Sequence, residues 1–450
     1  NGGGKGLPRI LVPVLFGGST AERQVSVLSG TNVWLKLQAS SRYEPYPCLL
    51  DTDGSVWLLS YAAALRHTVE EISTVCEEAS ANEPQRRRIA DEVIERLRLR
   101  PEDLGAATVP PEKLKLSDFL DGCSIVFNAL HGGDGEDGTL QAEFDRRGIR
   151  YNGCQPDASA LCIDKFDAGE RVRSIGDPGI WVPRHMRLRL VVPSEAAGAK
   201  NMWLAGQTCC QSATVVVKPV ADGCSAGVVP LDSAEELATY LSYLEGGFGR
   251  IPAASFGRLG RDQVVELPTG QVRELLLEEY VETDDVAVVD GPGGDTVADG
   301  ARLEWATVRD TGWVEVTVGV VGHHGALQAL SPSMTIARRG VLSVEEKFMG
   351  GTGVNITPPP SPPSGRVRPD AVEQAKRHAV RIAEALGVEG YARIDAFIHR
   401  DTGDVIFIEA NSLPALTPST VLYHQALAED PPMFPTVFLE QLLDLALDQR

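Results

Sequence analysis

The sequence predicts an α/β protein whose N-terminal part is built around a parallel sheet. An apolar strand pattern, "ILVPVLF", is followed by the helix pattern "VSVLSGTNVWLKL" and later by a second strand pattern, "SIVFNAL". Towards the other end, "AVEQAKRHAVRIAEALG" places apolar residues on one face of a helix, and the strand "VIFIEAN" follows. Strands that alternate with helices favour parallel pairing, because the helix carries the chain back across the sheet.

Length, charge and cysteine content restrict the class of protein. The 450 residues are enough for two or three domains. A net charge of −20 argues against a nucleic-acid partner, because phosphate backbones are bound by basic surfaces. No apolar run approaches the roughly 18 residues of a membrane span, so no membrane partner is expected. The eight cysteines include no CxxC pair or zinc-type cluster with histidine, which favours a reducing compartment.

The chain begins at Asn1, without an initiator methionine. We therefore expect a processed or trimmed segment of a cytoplasmic protein, and the stroma of a plastid is the alternative location. Two segments, about 193–213 and 285–312, are rich in Gly, Ala and Asp, which suits inserted surface loops better than core.

Lys218 stands at the end of the strand pattern in "VVVKPVADGCSAGV". An ammonium group beside a loop whose Gly223 and Gly227 allow close backbone approach suits a nucleotide phosphate. A surface lysine that follows an edge strand explains the same pattern equally well.

Two strands near the C-terminus carry oxygen donors. Asp395 lies on one strand, and Glu409 and Asn411 lie on one face of the next, beyond the turn sequence "DTGD". Mg²⁺ prefers such ligands and bridges protein carboxylates to substrate phosphates. Unrelated acids at strand edges are the alternative interpretation.

A series of motifs in order along nearly the whole chain resembles the D-alanine:D-alanine ligase family of the ATP-grasp superfamily. These motifs are "VLFGGSTAERQVS", "ALHGGDGEDGTLQ", "ASALCIDKF", "VVVKPVADGCSAGV", "LLLEEYV", "EVTVGV", "EEKF", "ARIDAF" and "IEANSLPALTPST". Any one of them alone would be modest evidence.

The resemblance implies an α+β ATP-grasp fold with three domains. A parallel α/β lobe that binds substrate would span residues 1–155, and a central ATP-grasp lobe would span 156–282. A C-terminal catalytic lobe with the metal site, and with the insertion near 285–312, would span 283–450. The two ATP-grasp lobes would clasp the nucleotide, and a homodimer is the usual assembly of the family.

The implied activity is the ATP-dependent joining of two D-alanines through an acyl phosphate, which supplies peptidoglycan precursor for the cell wall. The resemblance implies that residues of this chain contact ATP, and that others bind Mg²⁺ or Mn²⁺. The nucleotide contacts would be Lys165, Lys218, Glu278, Tyr280, Val281, Glu315 and Lys347. The metal ligands would be Asp395, Glu409 and Asn411.

Further residues would act on the amino acids. Glu22 would pair with the ammonium group of the first D-alanine, close to His131. Arg393 would stabilise the tetrahedral intermediate, assisted by a backbone N–H near Ala415, and Thr420 would contact the carboxylate of the second substrate. Taken alone, His131 is as well explained as a buried, hydrogen-bonded histidine, and Glu22 as an acid favoured at a helix start.

The sequence departs from the family pattern at two catalytic positions. Cys224 stands where the family has a serine that links Glu22 to a loop tyrosine, and Ser225 follows it. Phe348 replaces that tyrosine, and phenylalanine there is associated in the family with D-lactate as the second substrate. A thiol is a weak hydrogen-bond donor, so either the network is loosened or Ser225 substitutes for Cys224. A D-alanine:D-lactate or D-serine ligase, or a catalytically impaired ATP-binding paralogue, therefore stays an alternative.

Overall fold

The computed structural model describes residues 9–82, 85, 88–89, 91–92, 95–96, 111–190, 196–221, 226–259, 263–268, 270–284, 286–290, 296–297, 301–305, 310–336, 354–362 and 365–448. The chain divides into two compact units. Unit 1 comprises residues 1–153, 415–420 and 434–450, and unit 2 comprises 154–414 and 421–433. The division into three domains, with boundaries after residues 155 and 282, stays a prediction.

Unit 1 is built on a six-stranded sheet. Its strands are β1 (Ile10–Gly17), β2 (Tyr43–Leu50), β3 (Ser55–Leu58), β4 (Glu112–Lys115), β5 (Ile125–Asn128) and β6 (Arg150–Tyr151). Their order is β4-β3-β2-β1-β5-β6. Strands β2, β1, β5 and β6 pair in parallel, as the alternating sequence pattern predicts, and β3 and β4 extend the sheet with antiparallel pairing.

Helices cover this sheet, and a buried cluster fills the space beneath them. The helices in this part of the chain are α1 (Arg23–Leu37), α2 (Tyr61–Ala64), α3 (Val69–Ala81), α4 (Leu116–Asp121) and α5 (Thr139–Arg147). The cluster includes Leu15 on β1, Val126 on β5 and Phe144 on α5, all inaccessible to solvent. The strand patterns around Leu15 and Val126 were predicted from their apolar runs.

The described residues of unit 2 form two larger sheets and two smaller ones. Its strands are β7 (Ile180–Trp181), β8 (His185–Arg189), β9 (Val215–Pro219), β10 (Val229–Leu231), β11 (Arg250–Ile251), β12 (Val265–Glu266), β13 (Glu274–Glu279), β14 (Val286–Asp290), β15 (Thr296–Val297), β16 (Ala301–Trp305), β17 (Trp313–Gly322), β18 (Gln328–Ala329), β19 (Ser333–Ile336), β20 (Val354–Ile356), β21 (Gly390–His399) and β22 (Val405–Asn411). Its helices are α6 (Pro156–Ile163), α7 (Lys165–Arg173), α8 (Ala196–Cys210), α9 (Ala234–Glu245), α10 (Pro369–Ala385) and α11 (Val421–Leu427). The last helix of the chain, α12 (Pro435–Asp448), belongs to unit 1.

The two larger sheets of unit 2 each bury one face. The four-stranded sheet has the order β10-β9-β13-β8, and its apolar face packs against α8 and α9. The seven-stranded sheet has the order β20-β19-β17-β21-β22-β7, with β18 paired to β17, and it packs against α10 and α7. Strands β17 and β21 pair over ten residues, from Trp313 opposite His399 to Gly322 opposite Gly390. This long pairing forms the centre of the larger sheet.

Helix α10 confirms the predicted amphipathic pattern. Val372, Ala375, Ala379, Ile382 and Ala383 all lie buried on one face of the helix. Leu386, just beyond the end of the helix, is buried as well.

The prediction of a surface loop at 193–213 is wrong. Residues 196–210 form helix α8, and Ala199, Trp203 and Cys210 on it are buried against the four-stranded sheet. The high Ala content of this segment favours a helix, since alanine has the highest helix propensity.

The prediction of a loop at 285–312 is also wrong. Strands β14, β16 and β15 form a three-stranded antiparallel sheet within it. Asp284 anchors its base, because one carboxylate oxygen accepts hydrogen bonds from the backbone N–H groups of Thr311 (2.6 Å) and Gly312 (2.9 Å). The other oxygen is paired with the guanidinium of Arg400 at 2.5 Å. The segment therefore contains three strands and is not a loop throughout.

None of the helices in the described part of the chain has the length and apolar composition that a membrane crossing requires.

Gly30 in the middle of α1 leaves room for the ring of Phe16 on β1. A Cβ atom at residue 30 would lie 2.3 Å from Cδ1 of Phe16, whose side chain is fully buried. We expect Gly30→Ala to lower the free energy of unfolding by about 1–3 kcal/mol, because the ring has no space to withdraw. In an unhindered helix the same change would stabilise by about 1 kcal/mol. Urea denaturation measures the difference.

Gly249→Ala is the matched control, because a Cβ atom there would meet no atom within 4 Å. Its unfolding free energy should stay within about 0.5 kcal/mol of the parent. A Gly30→Ala variant as stable as the parent would contradict the close packing of α1 on β1.

Candidate active site

Lys218 lies on an interior strand. Its strand, β9, runs between β10 and β13, and only 4% of the lysine side chain is exposed. Nζ lies 2.8 Å from Oε1 of Glu278 on β13. The strand register places Lys218 opposite Leu276, so Glu278, two residues along, projects from the same face. The alternative of an exposed lysine after an edge strand is therefore wrong.

His185 is the cross-strand neighbour of Glu278 on the other side, on β8. Its Nε2 atom lies 3.1 Å from a carboxylate oxygen of Glu170. Burial lowers the pKa of His185, so the imidazole is neutral at pH 7. His185 therefore adds no positive charge beside Glu278, whose charged partner on this face is Lys218.

Lys165 connects the end of β9 with the acidic hairpin. It is the first residue of α7, and its backbone N–H donates to the carbonyl oxygen of Val220, two residues beyond Lys218. Its side chain is 8% exposed, and Nζ lies 3.4 Å from Oε2 of Glu409 on β22. The Asp164 carboxylate caps this helix by accepting from the backbone N–H of Asp167. The two predicted phosphate-binding lysines thus lie on adjoining segments.

The hairpin β21–β22 brings the predicted acidic residues together. Asp395 lies opposite Glu409, and Arg393 lies opposite Asn411, with an irregularity after Asp395. Arg393 donates to both oxygens of Asp395, from Nη2 to Oδ2 (2.7 Å) and from Nε to Oδ1 (3.0 Å). Nδ2 of Asn411 lies 3.4 Å from Oδ2 of Asp395. These residues are therefore not scattered acids but one connected group.

The donor set fits a hard divalent cation. Two carboxylates and one amide meet on one hairpin, and Mg²⁺ is commonly bound by one or two carboxylates together with substrate phosphates. Among the described residues, no group of three or more His, Cys, Asp or Glu side chains is arranged to hold a metal by itself. Mg²⁺ bound here would take its further oxygen ligands from water or from a phosphorylated substrate.

Buried charges in unit 2 are paired with one another. Lys218 is paired with Glu278, Lys165 with Glu409, and Arg393 with Asp395. A buried ion without a partner would cost several kcal/mol of folding free energy. Each ion in a pair therefore stabilises the buried position of its partner. A triphosphate and a divalent cation would supply the opposite charges to the same lysines and carboxylates.

The residues predicted to bind adenosine lie on β13, just after it, and on β17. Tyr280 and Val281 follow β13 and are partly exposed, and the guanidinium of Arg258 lies 5.1 Å from the centre of the Tyr280 ring. Glu315 is exposed on β17 opposite Phe397. It lies two residues from Thr317 and thus projects from the same sheet face as Thr317 and its partner Asp395.

In unit 1, Glu22 and His131 lie at the same end of the sheet. Glu22 directly precedes α1, and its Oε2 atom lies 2.7 Å from where a Cβ on Gly132 would be. His131 is 5% exposed, and its ring nitrogens contact Ser29 Oγ (2.9 Å) and Glu136 Oε1 (3.1 Å). His131 therefore is a buried, hydrogen-bonded histidine that also lies next to Glu22.

Ser29 and Asn32 on α1 bring residues 415–420 to this group. The hydroxyl of Ser29 accepts from the backbone N–H of Leu416 at 3.1 Å, and Nδ2 of Asn32 donates to the Leu416 carbonyl at 2.7 Å. Ala415 directly precedes Leu416, Thr420 lies four residues beyond it, and both are buried. Hydrogen bonds from α1 thus connect predicted amino-acid-binding residues of unit 1 with one another.

Sequence reasoning missed Ser29 and Asn32, although a signal was present. Ser26, Ser29 and Asn32 recur at intervals of three on α1 and are all buried. Polar residues on the buried face of a helix indicate hydrogen-bonding partners in the core. Thr317, whose hydroxyl donates to Asp395 Oδ1 at 2.8 Å, was missed as well. The predicted residues Cys224, Ser225, Lys347 and Phe348 lie outside the described residues.

Comparisons with known proteins agree with the motifs. A family model for the D-ala D-ala ligase N-terminus matches residues 11–154, and one for the C-terminus of the same enzymes matches residues 309–444. A D-alanine–D-alanine ligase of Chlorobaculum tepidum is 27% identical over 446 residues, which cover 98% of this chain and 97% of that protein.

Two solved structures share the fold. The VanG D-Ala:D-Ser ligase of Enterococcus faecalis has a TM-score of 0.60 at 19% identity and covers 98% of this chain and 100% of its own. A D-alanine–D-alanine ligase from Bacillus anthracis complexed with ATP has a TM-score of 0.55 at 17% identity, with 97% of each chain covered. The family models together match more than half of the sequence, which confirms the resemblance predicted from the motifs. The chain belongs to the D-alanine–D-alanine ligase family and has its ATP-grasp fold.

Proposed function

We propose that this chain joins two D-alanines in a reaction that consumes ATP and requires Mg²⁺, and that the product supplies peptidoglycan synthesis. The observation that carries the proposal is the continuous set of contacts in unit 2 from Lys218 through the adjoining segment of Lys165 to Glu409 and Asp395. Transfer of a phosphoryl group requires basic groups that bind the phosphates, and it requires oxygen ligands that hold a cation. Family membership supplies the substrate class.

In the proposed reaction the carboxylate of the first D-alanine attacks the γ-phosphorus of ATP, and ADP leaves. The amino group of the second D-alanine then attacks the carbonyl carbon of the acyl phosphate, loses a proton, and displaces inorganic phosphate. A Mg²⁺ ion, when bound, would offset negative charge on the phosphate oxygens. The protein mainly positions the reactants and stabilises charge.

The chain's own residues divide these tasks. Lys165 would leave Glu409, and Lys218 would leave Glu278, and both lysines would bind phosphate oxygens instead. The metal ligands would be Asp395, Glu409 and Asn411. Arg393 would leave Asp395 to stabilise the oxyanion of the tetrahedral intermediate, with the backbone N–H near Ala415. Glu22 would hold the ammonium group of the first substrate, and Thr420 the carboxylate of the second. Lys347 would add positive charge at the γ-phosphate.

The identity of the second substrate is the open choice within this proposal. Phe348 and Cys224 favour a weakened hydrogen-bonding network around the second substrate, as in a ligase for D-lactate or D-serine. Family membership and the D-alanine–D-alanine ligase of Chlorobaculum tepidum favour D-alanine. A homodimer and a cytoplasmic location accompany the proposal as predictions, and the bacterial relatives give the plastid alternative no support.

An assay of ADP release with D-alanine, D-serine and D-lactate at neutral pH tests the substrate. We expect D-alanine to give the highest kcat/KM as second substrate. Preference for D-lactate would contradict the main proposal, and no phosphate release with any substrate would indicate an impaired paralogue. Running Cys224→Ser together with Phe348→Tyr in the same assay shows whether these two positions limit turnover with D-alanine.

Lys218→Met separates the two roles of this lysine. It should lower kcat/KM for ATP by about 100-fold or more, because the phosphate loses a charged partner. It should also lower the unfolding free energy, because Glu278 is left buried without its cation. The double variant Lys218→Met/Glu278→Gln should recover much of the stability and none of the activity.

Arg400→Met is the matched control, since Arg400 forms another largely buried ion pair of unit 2, with Asp284. It should lower stability and leave the KM for ATP within about threefold of the parent, since it lies outside the proposed phosphate site. Equal loss of ATP affinity in the Arg400 and Lys218 variants would mean that Lys218 acts only through stability.

A further inference from the structure

Thr317 on β17 is the cross-strand neighbour of Asp395 on β21. Its hydroxyl donates to Oδ1 of Asp395 at 2.8 Å. The β-branched side chain has few rotamers, and its backbone lies inside the long pairing of β17 with β21. The hydroxyl is therefore held in one direction by the sheet itself.

The other groups that contact Asp395 have additional roles in the proposed reaction. Arg393 binds both carboxylate oxygens, and the Asn411 amide nitrogen approaches Oδ2. In the proposed reaction Arg393 turns to the tetrahedral intermediate and Asn411 offers its amide oxygen to the cation. Thr317 can keep its hydrogen bond throughout, because a neutral hydroxyl on Oδ1 leaves Oδ2 free for a cation.

In the part of the chain that the structure describes, the strand that carries Thr317 has no continuous neighbour on its other side. Strand β19 pairs with Val316 and Thr317, and β18 pairs with Val320 and Val321. Between these two short pairings, the β17 backbone needs other hydrogen-bond partners. This gap lies directly across β17 from Arg393 and Asp395.

The side chain of Gln425, from helix α11, occupies that gap. It is fully buried, donates from Nε2 to the Thr317 carbonyl (2.8 Å), and accepts at Oε1 from the Gly319 N–H (2.8 Å). Nε2 also lies 3.0 Å from Ser333 Oγ on β19. A carboxamide has the donor and acceptor of a peptide group. Gln425 therefore makes the hydrogen bonds to Thr317 and Gly319 that the backbone of a neighbouring strand would make.

We propose that Thr317 is a positioning residue that orients Asp395 for a divalent cation, and that Gln425 holds the Thr317 strand in register. This inference rests on the proposed function. Hydrogen-bond partners of metal ligands typically change metal affinity by about 10- to 100-fold when they are removed.

The test measures Mn²⁺ affinity by electron paramagnetic resonance, with the full chain and a non-hydrolysable ATP analogue. Thr317→Val keeps the shape and removes the hydroxyl, and it should raise the Kd for Mn²⁺ by about 10- to 100-fold. Thr317→Ser keeps the hydroxyl and should stay within about threefold of the parent. Gln425→Met should weaken Mn²⁺ binding in the same direction by a smaller factor.

Thr402→Val is the matched control. Thr402 makes the same type of bond, from its hydroxyl to Oδ2 of Asp404 at 2.8 Å, in the turn of the same hairpin. Its Mn²⁺ affinity should equal that of the parent.

An unchanged Kd in a folded Thr317→Val variant would overturn the inference. A serine variant as weak as the valine variant would do so too, because the hydroxyl would then not be the cause. Absence of Mn²⁺ binding in the parent itself would instead overturn the proposed function, and this inference with it.

Discussion

The arrangement of unit 2 depends on the mutual neutralisation of buried charges. Lys218, Lys165 and Arg393 each lie within an ion-pair distance of a carboxylate that the same sequence motifs assign to the nucleotide or its cation. A buried charge is tolerated only with a partner. Two of these pairs join different elements, whereas Arg393 and Asp395 both lie on β21. The ion pairs therefore join β9 to β13 and α7 to the β21–β22 hairpin, and they keep charged groups that a triphosphate with its cation would bind.

The same constraint explains how the neutral parts of the site are built. Charged groups that exchange partners during a reaction cannot by themselves keep their geometry. The neutral contacts of Thr317 to Asp395 and of Gln425 to the β17 backbone do not need to break. In unit 1, Ser29 and Asn32 play the comparable part, since they join His131 and the segment around Leu416 without using charge.

The sequence was sufficient where local periodicity decides the structure. The faces of α10 and of the Asp395–Glu409 hairpin follow from spacing within one or two elements, and both are confirmed. Gln425 could not be predicted in this way, because its partners Thr317 and Ser333 are about a hundred residues distant along the chain. The two predicted loops failed for another reason. A composition rich in Gly, Ala and Asp suits loops, but Ala also favours a helix, as in α8, and a Val-rich sequence such as that of β14 also favours a strand.

The lysines and the carboxylates of unit 2 are proposed to serve a single nucleotide and its cation. Calorimetric titration of a non-hydrolysable ATP analogue, with and without Mg²⁺, into the parent and into Asp395→Asn/Glu409→Gln measures this directly. The account predicts that Mg²⁺ tightens analogue binding to the parent by at least about tenfold and has no such effect on the variant. The same Mg²⁺ effect in both proteins would contradict it.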